Sequence, residues 1–531
     1  MCAAPARAAL PLHAGHAVLP DRLEARPLHG LDAYSHTLVE LQGPNDPAEL
    51  ALRAAGAKPI APRLGLWRVR TAPALRFLPS LLAAHDVRSV SPDLPLQTMA
   101  SPSYFTDPLS VSQWWPSHVG ADRWTPPGPG FPVTLIDAGT DLSHEEFASR
   151  PDTTALNTQT FKSGIDEEHG TATASVVGAP QNGKGIVGIY PEAKLQVWDA
   201  SPGGVLTVGD EIAGLNSAIA HGRGAINLSL GGFDRIPIEE HAILATFAAG
   251  SLVVASAGND RADGSSPSYP SAFAHVLSIG ATDELDHVTS FSSSARTMDL
   301  AAPGQNITTA VPTYWNPIGY SVLDGTSFSA PMVAGAAAGI WTLRPRLTNT
   351  QLFEIMRRSA RDVGKKGWDK DTGYGMLDIP AALTRKAPAA DPQEPNEDVY
   401  LVKPKGLLRA GHEPITAPGR RNRILRAHVE QAEDPEDVYR TYLPEKGRLV
   451  VTVRAEANLD LEVWGRHTRT VYERGAAARR DLLGMAAHKG SRFERVTIRA
   501  RGVGQYVYVD VFLAKGVTQA SYSVSVATAR R

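Results

Sequence analysis

Cysteine is nearly absent from this chain: its 531 residues hold one, Cys2. No internal disulfide can form and no cysteine-based metal site is available. A secreted protein of this length can do without disulfides, so export is not excluded. Net charge is nearly absent too, with 53 Lys+Arg against 55 Asp+Glu and a formal charge of −2. Nothing in that balance draws the chain to nucleic acid or to an anionic membrane. Long hydrophobic runs are also missing. The most apolar stretch, AILATFAAGSLVVASAG from Ala242, is interrupted by Gly250 and Ser251. It reads as a buried helix followed by a buried strand, not as a membrane span. The N-terminal MCAAPARAAL has an A-x-A-like ending but no basic start and no apolar centre, so it reads as an incomplete signal peptide.

What is present is an ordinary globular composition, 43% hydrophobic with 47 glycines, and enough length for two or three domains. After a leader over 1–33, residues 34–103 form a small α+β unit. SHTLVELQG and GLWRVRT read as strands, Pro47–Ala55 and Pro73–Ala84 as helices, and VRSVSPDLPLQT as a last strand with an extended tail. From 104 to 386 the pattern changes. FPVTLID, KLQVWDA, AINLSL, LVVASAG and HVLSIGAT are apolar almost without interruption, and helical stretches such as Val208–His221 and Ile238–Ala249 lie between several of them. Strands apolar on both faces and joined through helices predict a mostly parallel sheet covered on each side. Functional residues of such sheets gather at the carboxyl ends of the strands. Residues 387–403, with the acidic DPQEPNED, read as a solvated linker. Over 404–531, RLVVTVRAE, LDLEVWG, FERVTIRA, GQYVYVDVFLA and ASYSVSVATA alternate apolar and polar residues, which predicts a β-sandwich with no helix.

Three side chains sit where elements begin or end. Asp137 closes the strand VTLI, His169 opens the helical HGTATASVVGA, and Ser327 opens TSFSAPMVAGAAAGIW. A serine hydroxyl needs a base to become a nucleophile. A neutral imidazole suits that task near neutral pH, and a carboxylate on its other nitrogen fixes the tautomer. Asn259, after the buried strand of VVASAGND, carries an amide that can donate to an oxyanion, together with the backbone N–H of Ser327.

These stretches resemble the subtilases, the subtilisin-like serine proteases. The resemblance is carried by VTLIDAGTDLSHEEF, HGTATASVVGAPQNGKGIVGIYPEAKL, AINLSLGG, VVASAGND, LAAPGQNI and GTSFSAPMVAG, in the order Asp, His, Asn, Ser. It implies an Asp137–His169–Ser327 triad, an oxyanion donor at Asn259, and a packing or helix-starting role for Ser329. It also implies a groove for extended peptide edged by Ser229, Leu230 and Gly231 on one side and by Ser256, Ala257 and Gly258 on the other. Glu146 and Asn182 resemble positions of a family calcium site, and no cofactor is required for the chemistry. Asp260 and Asp263 read as plain loop acids. Ala138 after the aspartate, HGTAT without a second histidine, and Phe328 depart from the usual pattern, but none removes a reacting group. The N-terminal unit is similar to the family's inhibitor propeptide, and the C-terminal one resembles the prepeptidase C-terminal domain through EDPEDVYRTYL, LDLEVW and GQYVYVDV. The expectation is a secreted, monomeric serine endopeptidase made as a self-processing zymogen, acting on peptides and proteins, with its own propeptide as inhibitor. The competing reading is a catalytically weak or inactive relative that binds through its C-terminal sandwich.

Overall fold

A computed structural model describes residues 31, 36–43, 46–93, 106–160, 167–500 and 502–530. Cys2, the leader apart from Leu31, and the extended tail expected before the catalytic region lie outside the described residues. The chain divides into two compact units, 1–100 and 101–531.

The first unit has the order strand, helix, strand, strand, helix, strand. Its antiparallel sheet runs Lys58–Ala61, Leu66–Arg70, His36–Leu41, Val87–Pro92, and its helices are Asp46–Ala54 and Thr71–Ala83. Val39, Leu41 and Trp67 from the sheet close on Leu52 and Leu78 from the helices. The expected strands and helices are all there. The additional strand, Lys58–Ala61, is short and largely exposed, so it carries no apolar alternation by which it could be recognised.

In the second unit a seven-stranded sheet runs Met298–Pro303, Val276–Thr282, Leu252–Ser256, Ala225–Leu228, Pro132–Asp137, Lys194–Asp199, Thr153–Ala155, with every pairing parallel. Pro132–Asp137, Ala225–Leu228 and Leu252–Ser256 are buried along their whole length. This is the consequence of covering both faces, and it is why they read as unbroken apolar runs. This is an α/β fold built on a parallel sheet with helices on both faces. The helix Thr326–Leu343 is buried from Phe328 to Trp341. Its glycines let neighbouring segments pack directly on it: a Cβ at Gly335 would meet Ile189, and one at Gly339 would meet Trp124.

Two antiparallel sheets make the C-terminal region. One runs Asn422–Glu430, Gln519–Arg530, Gly447–Ala455, Phe493–Arg499; the other runs Glu436–Leu443, Gln505–Leu513, Leu459–Trp464, Leu482–Ala486. Val451 and Val524 from the first share one core with Leu461 and Val509 from the second. Strict alternation is plain in Phe493–Arg499, where every second residue is buried. One expectation is corrected here: a helix, Gly475–Asp481, does interrupt the strands. Its Ala-Ala-Ala-Arg-Arg favours helix, but two turns were too short to stand out from a loop.

A second correction concerns the acidic linker. Pro395, Asn396, Asp398 and Val399 are buried, and Val399–Val402 forms a short helix. The segment is pinned on both sides: His275 Nε2 lies against Glu397, the His428 N–H donates to Asp391 Oδ2 at 2.6 Å, and the Val438 N–H donates to the Asn396 carbonyl at 2.9 Å. Acidic, proline-rich composition suggested solvent; tertiary contacts put this stretch under cover. Beside it the almost fully buried Arg357 pairs with Asp299 at 2.8 Å and with Glu430 at 2.6 Å, joining the two regions. No helix among the described residues is long and apolar enough to cross a membrane.

Candidate active site

Asp137 ends its strand 1% exposed. Its Oδ1 accepts from His169 Nδ1 at 2.6 Å and from the Ala138 N–H at 2.7 Å. Its Oδ2 accepts from the Thr173 hydroxyl at 3.0 Å. His169 and Thr173 are one turn apart on the helix His169–Gly178, so both reach the same carboxylate. That helix can come this close because residue 170 is glycine: a Cβ there would lie 1.9 Å from the Ala138 carbonyl oxygen. With Nδ1 bonded to a carboxylate, the neutral ring carries its proton on Nδ1, which makes Nε2 the acceptor nitrogen.

Ser327 is the second residue of its helix. Its backbone carbonyl accepts from the Ser229 hydroxyl at 2.8 Å, and Ser229 in turn accepts from Asn227 Nδ2 at 3.0 Å. The next ring along, Phe328, stands 6.0 Å from the His169 ring, centre to centre. These contacts bring the strand end at 227–229, the imidazole and the serine helix to one place. Asn259 is held by Thr326, whose N–H and hydroxyl both donate to Asn259 Oδ1 at 3.0 Å. Because only the amide oxygen can accept those two bonds, the amide NH₂ is turned away from Thr326 and left available to donate. Ser329, fully buried, donates to the carbonyls of Ala302 at 3.0 Å and Pro303 at 3.1 Å. Its hydroxyl is committed to packing the helix.

Residues 128–375 match the family model for the subtilase family. The minor extracellular protease Epr of Bacillus subtilis is 32% identical over 289 residues, which is 54% of this chain and 42% of that protein. Subtilisin of Bacillus pumilus is 30% identical over 280 residues, 52% of this chain and 98% of that protein. The chain belongs to the subtilase family. The crystal structure of fervidolysin from Fervidobacterium pennivorans, a keratinolytic enzyme related to subtilisin, aligns with 87% of this chain and 68% of its own at 19% identity, with a TM-score of 0.49.

Other features of this subtilase are visible only in three dimensions. Thr173, Asn227 and Thr326 were not singled out from the sequence. Thr173 had a signal, its i+4 spacing from His169, whereas Asn227 and Thr326 act through contacts between distant segments. Of the groove residues, Leu230 is half-buried and Gly231 exposed, while the Ala257 N–H is already given to the Ile279 carbonyl at 2.9 Å. Asp260 is a loop residue whose N–H is held by the Ser293 hydroxyl at 2.9 Å, and Arg261 beside it pairs with Asp371.

The two candidate calcium ligands do come together, with Asp107 and Tyr320 as unforeseen neighbours. Glu146 is fully buried, and its Oε1 accepts from the Ile186 N–H and the Tyr320 hydroxyl, each at 2.9 Å. Asn182 Nδ2 lies 3.5 Å from Glu146 Oε2, and Asp107 accepts the N–H groups of Asn182 and Gly183 at 3.0 and 3.1 Å. Burial pushes the Glu146 carboxyl up to about 7. Protein donors already occupy much of what this carboxylate could offer a cation.

A second set of carboxylates is differently placed. Asp391, Glu394 and Asp434 bring one oxygen each within 4.8 Å of one another, as do the ligand atoms of His275, Glu394 and Glu397. The Glu394 side chain is 4% exposed and accepts no hydrogen bond at either oxygen, its nearest ring nitrogen being His275 Nε2 at 3.6 Å from Oε2. Burial, with mutual repulsion, raises the Asp391, Glu394 and Asp434 carboxyls well above the usual range. Acids crowded out of water and short of donors must either hold protons or share a cation. The donor set suits a hard, oxygen-binding divalent ion such as calcium at Asp391–Glu394–Asp434.

Proposed function

We propose that this subtilase is a secreted serine endopeptidase, made as a zymogen that cuts itself. Ser327 attacks the peptide carbonyl; His169 Nε2 takes the hydroxyl proton and returns it to the leaving amine; Asp137 keeps the ring oriented and stabilises the imidazolium. The Asn259 amide and the Ser327 N–H hold the oxyanion. Ser229, Leu230 and Gly231, facing Ser256, Ala257 and Gly258, line the path of an extended substrate, whose main chain supplies affinity with little sequence preference. The observation that carries this reading is the 2.6 Å bond from His169 Nδ1 to Asp137, because it sets the tautomer that a general base requires. The reading assigns the N-terminal unit as inhibitor and folding aid, and assigns a structural divalent cation to the Asp391–Glu394–Asp434 cluster rather than to Glu146 and Asn182.

The test is active-site labelling followed by substrate profiling. Purified protein is treated with a fluorophosphonate, and the labelled residue is found by mass spectrometry; the same preparation is then given a diverse peptide mixture. Label on Ser327 together with cut peptides is the expected result. Absence of both from correctly folded protein would leave a binding role for the C-terminal sheets.

A further inference from the structure

A cavity of about 290 Å³ lies between the start of the helix Val208–Ala220, the loop after Leu230 and the start of the helix Pro237–Ala248. Leu206, Leu230, Ile236 and Tyr269 supply apolar walls. Glu211 and Glu239 also line it, each 3% exposed, and Glu211 Oε1 accepts no hydrogen bond. Asp234 adds a third acid, and none of the lining residues is Lys, Arg or His.

A structural purpose for Glu211 is hard to find. The helix is already capped by the Thr207 hydroxyl, which accepts from the Asp210 N–H at 3.1 Å. The nearby Arg235 is engaged by Glu240 at 2.6 and 3.1 Å. Burial, reinforced by repulsion from Glu239, pushes the Glu211 carboxyl up to about 8, and burial with repulsion from Glu240 pushes Glu239 up to about 7. Two buried acids without a cation are an unfavourable arrangement that an incoming positive group relieves. The methylenes of lysine or arginine would lie along the apolar walls while the charged end reaches the carboxylates.

The cavity's position says whose cation this is. Leu230, one of its walls, follows directly on Ser229, whose hydroxyl is bonded to the carbonyl of Ser327. From Ser229 to Gly232 the chain can span at most about 10 Å. We propose that this cavity receives a lysine or arginine side chain of the substrate, a few residues before the bond that is cut, and that Glu211 and Glu239 are its specificity determinants. This rests on the protease reading, because it takes Ser229–Gly231 as an edge of the substrate groove.

The experiment uses the full chain carrying Ser327→Ala and a fluorescent peptide series in which arginine, or its uncharged isostere citrulline, is moved one position at a time. Binding is read by anisotropy, and cleavage of the same series by the wild-type protein is read in parallel. At one position arginine should bind at least about tenfold more tightly than citrulline, a ratio of the size a charge-assisted pair supplies. Adding Glu211→Gln should bring that ratio to within about twofold. Glu239→Gln is the second variant should Glu211→Gln fail to fold, which circular dichroism checks. Peptides bound and cut with no arginine preference at any position, or with a preference that survives both substitutions, would overturn the inference and leave the protease reading standing. Peptides neither bound nor cut would overturn the protease reading, and the inference with it.

Discussion

Thr326 holds Asn259 by two hydrogen bonds to one oxygen, from N–H and hydroxyl, each 3.0 Å long. In the proposed mechanism, the residue directly before Ser327 thus aims the donor that would serve the intermediate Ser327 creates. Removing the donor by Asn259→Ala should lower kcat by about 10²–10³, the range already known from subtilisin, with KM little changed. Steady-state kinetics on one peptide checks this; a loss mainly in KM would show that Asn259 binds substrate instead. Thr326→Val keeps the backbone bond and should cost only about fivefold in kcat.

Thr173 is the second anchor of Asp137, by its 3.0 Å bond to Oδ2. Thr173→Val should lower kcat roughly tenfold by letting the carboxylate swing, while Thr173→Ser, which keeps the hydroxyl, should restore most of the rate. Equal rates for the valine and serine variants would show that the hydroxyl does no positioning.

Glu211 should leave a mark on stability as well as on specificity. Its folded carboxyl is raised to about 8 from 4.5, so between those values the folded protein holds a proton that the unfolded chain has released. Stability from this group is therefore greatest at low pH and falls as pH rises towards 8. Glu211→Gln removes the titration. Relative to wild type its Tm should rise steadily from pH 5 to pH 8, by an amount worth up to a few kcal/mol. A Tm difference independent of pH would contradict the assigned shift.

The carboxylates around Glu394 predict a metal-dependent melting temperature. Millimolar calcium should raise Tm by roughly 5 °C over chelated protein, as expected for a site of micromolar affinity in a unit this large. Glu394→Gln should abolish that increment, yet melt higher than wild type in chelator at neutral pH, because it removes a buried acid that must take up a proton to fold when no cation is shared. Identical calcium responses in both proteins would remove Glu394 from the site.

Self-processing gives the last prediction. Wild-type protein should acquire a new N-terminus between Leu96 and Phe105, where a Pro- and Ser-rich stretch precedes the catalytic region. Ser327→Ala should fold and keep the junction intact. Intact mass and N-terminal sequencing, in a host without extracellular proteases, compare the two. Equal processing of both would mean that another protease makes the cut.

Periodicity and motif order by themselves determined that the middle of this chain is a covered parallel sheet and that its end is alternating β-structure. They also located Asp137, His169, Asn259 and Ser327 at element ends. Such features are local: burial of both faces of a strand is written into that strand, and a helix start is written into a few residues. The tertiary structure decided what depends on segments far apart in sequence. It turned Asn259 by way of Thr326, linked Ser229 to Ser327 across 98 positions, and closed the Glu211–Glu239 cavity. It also reversed the reading of DPQEPNED, whose composition favours water. Those acids are covered by His275 from the catalytic region and by Asp434 from the β-sheets, and no local property of an acidic segment reveals which distant side chains will be folded over it.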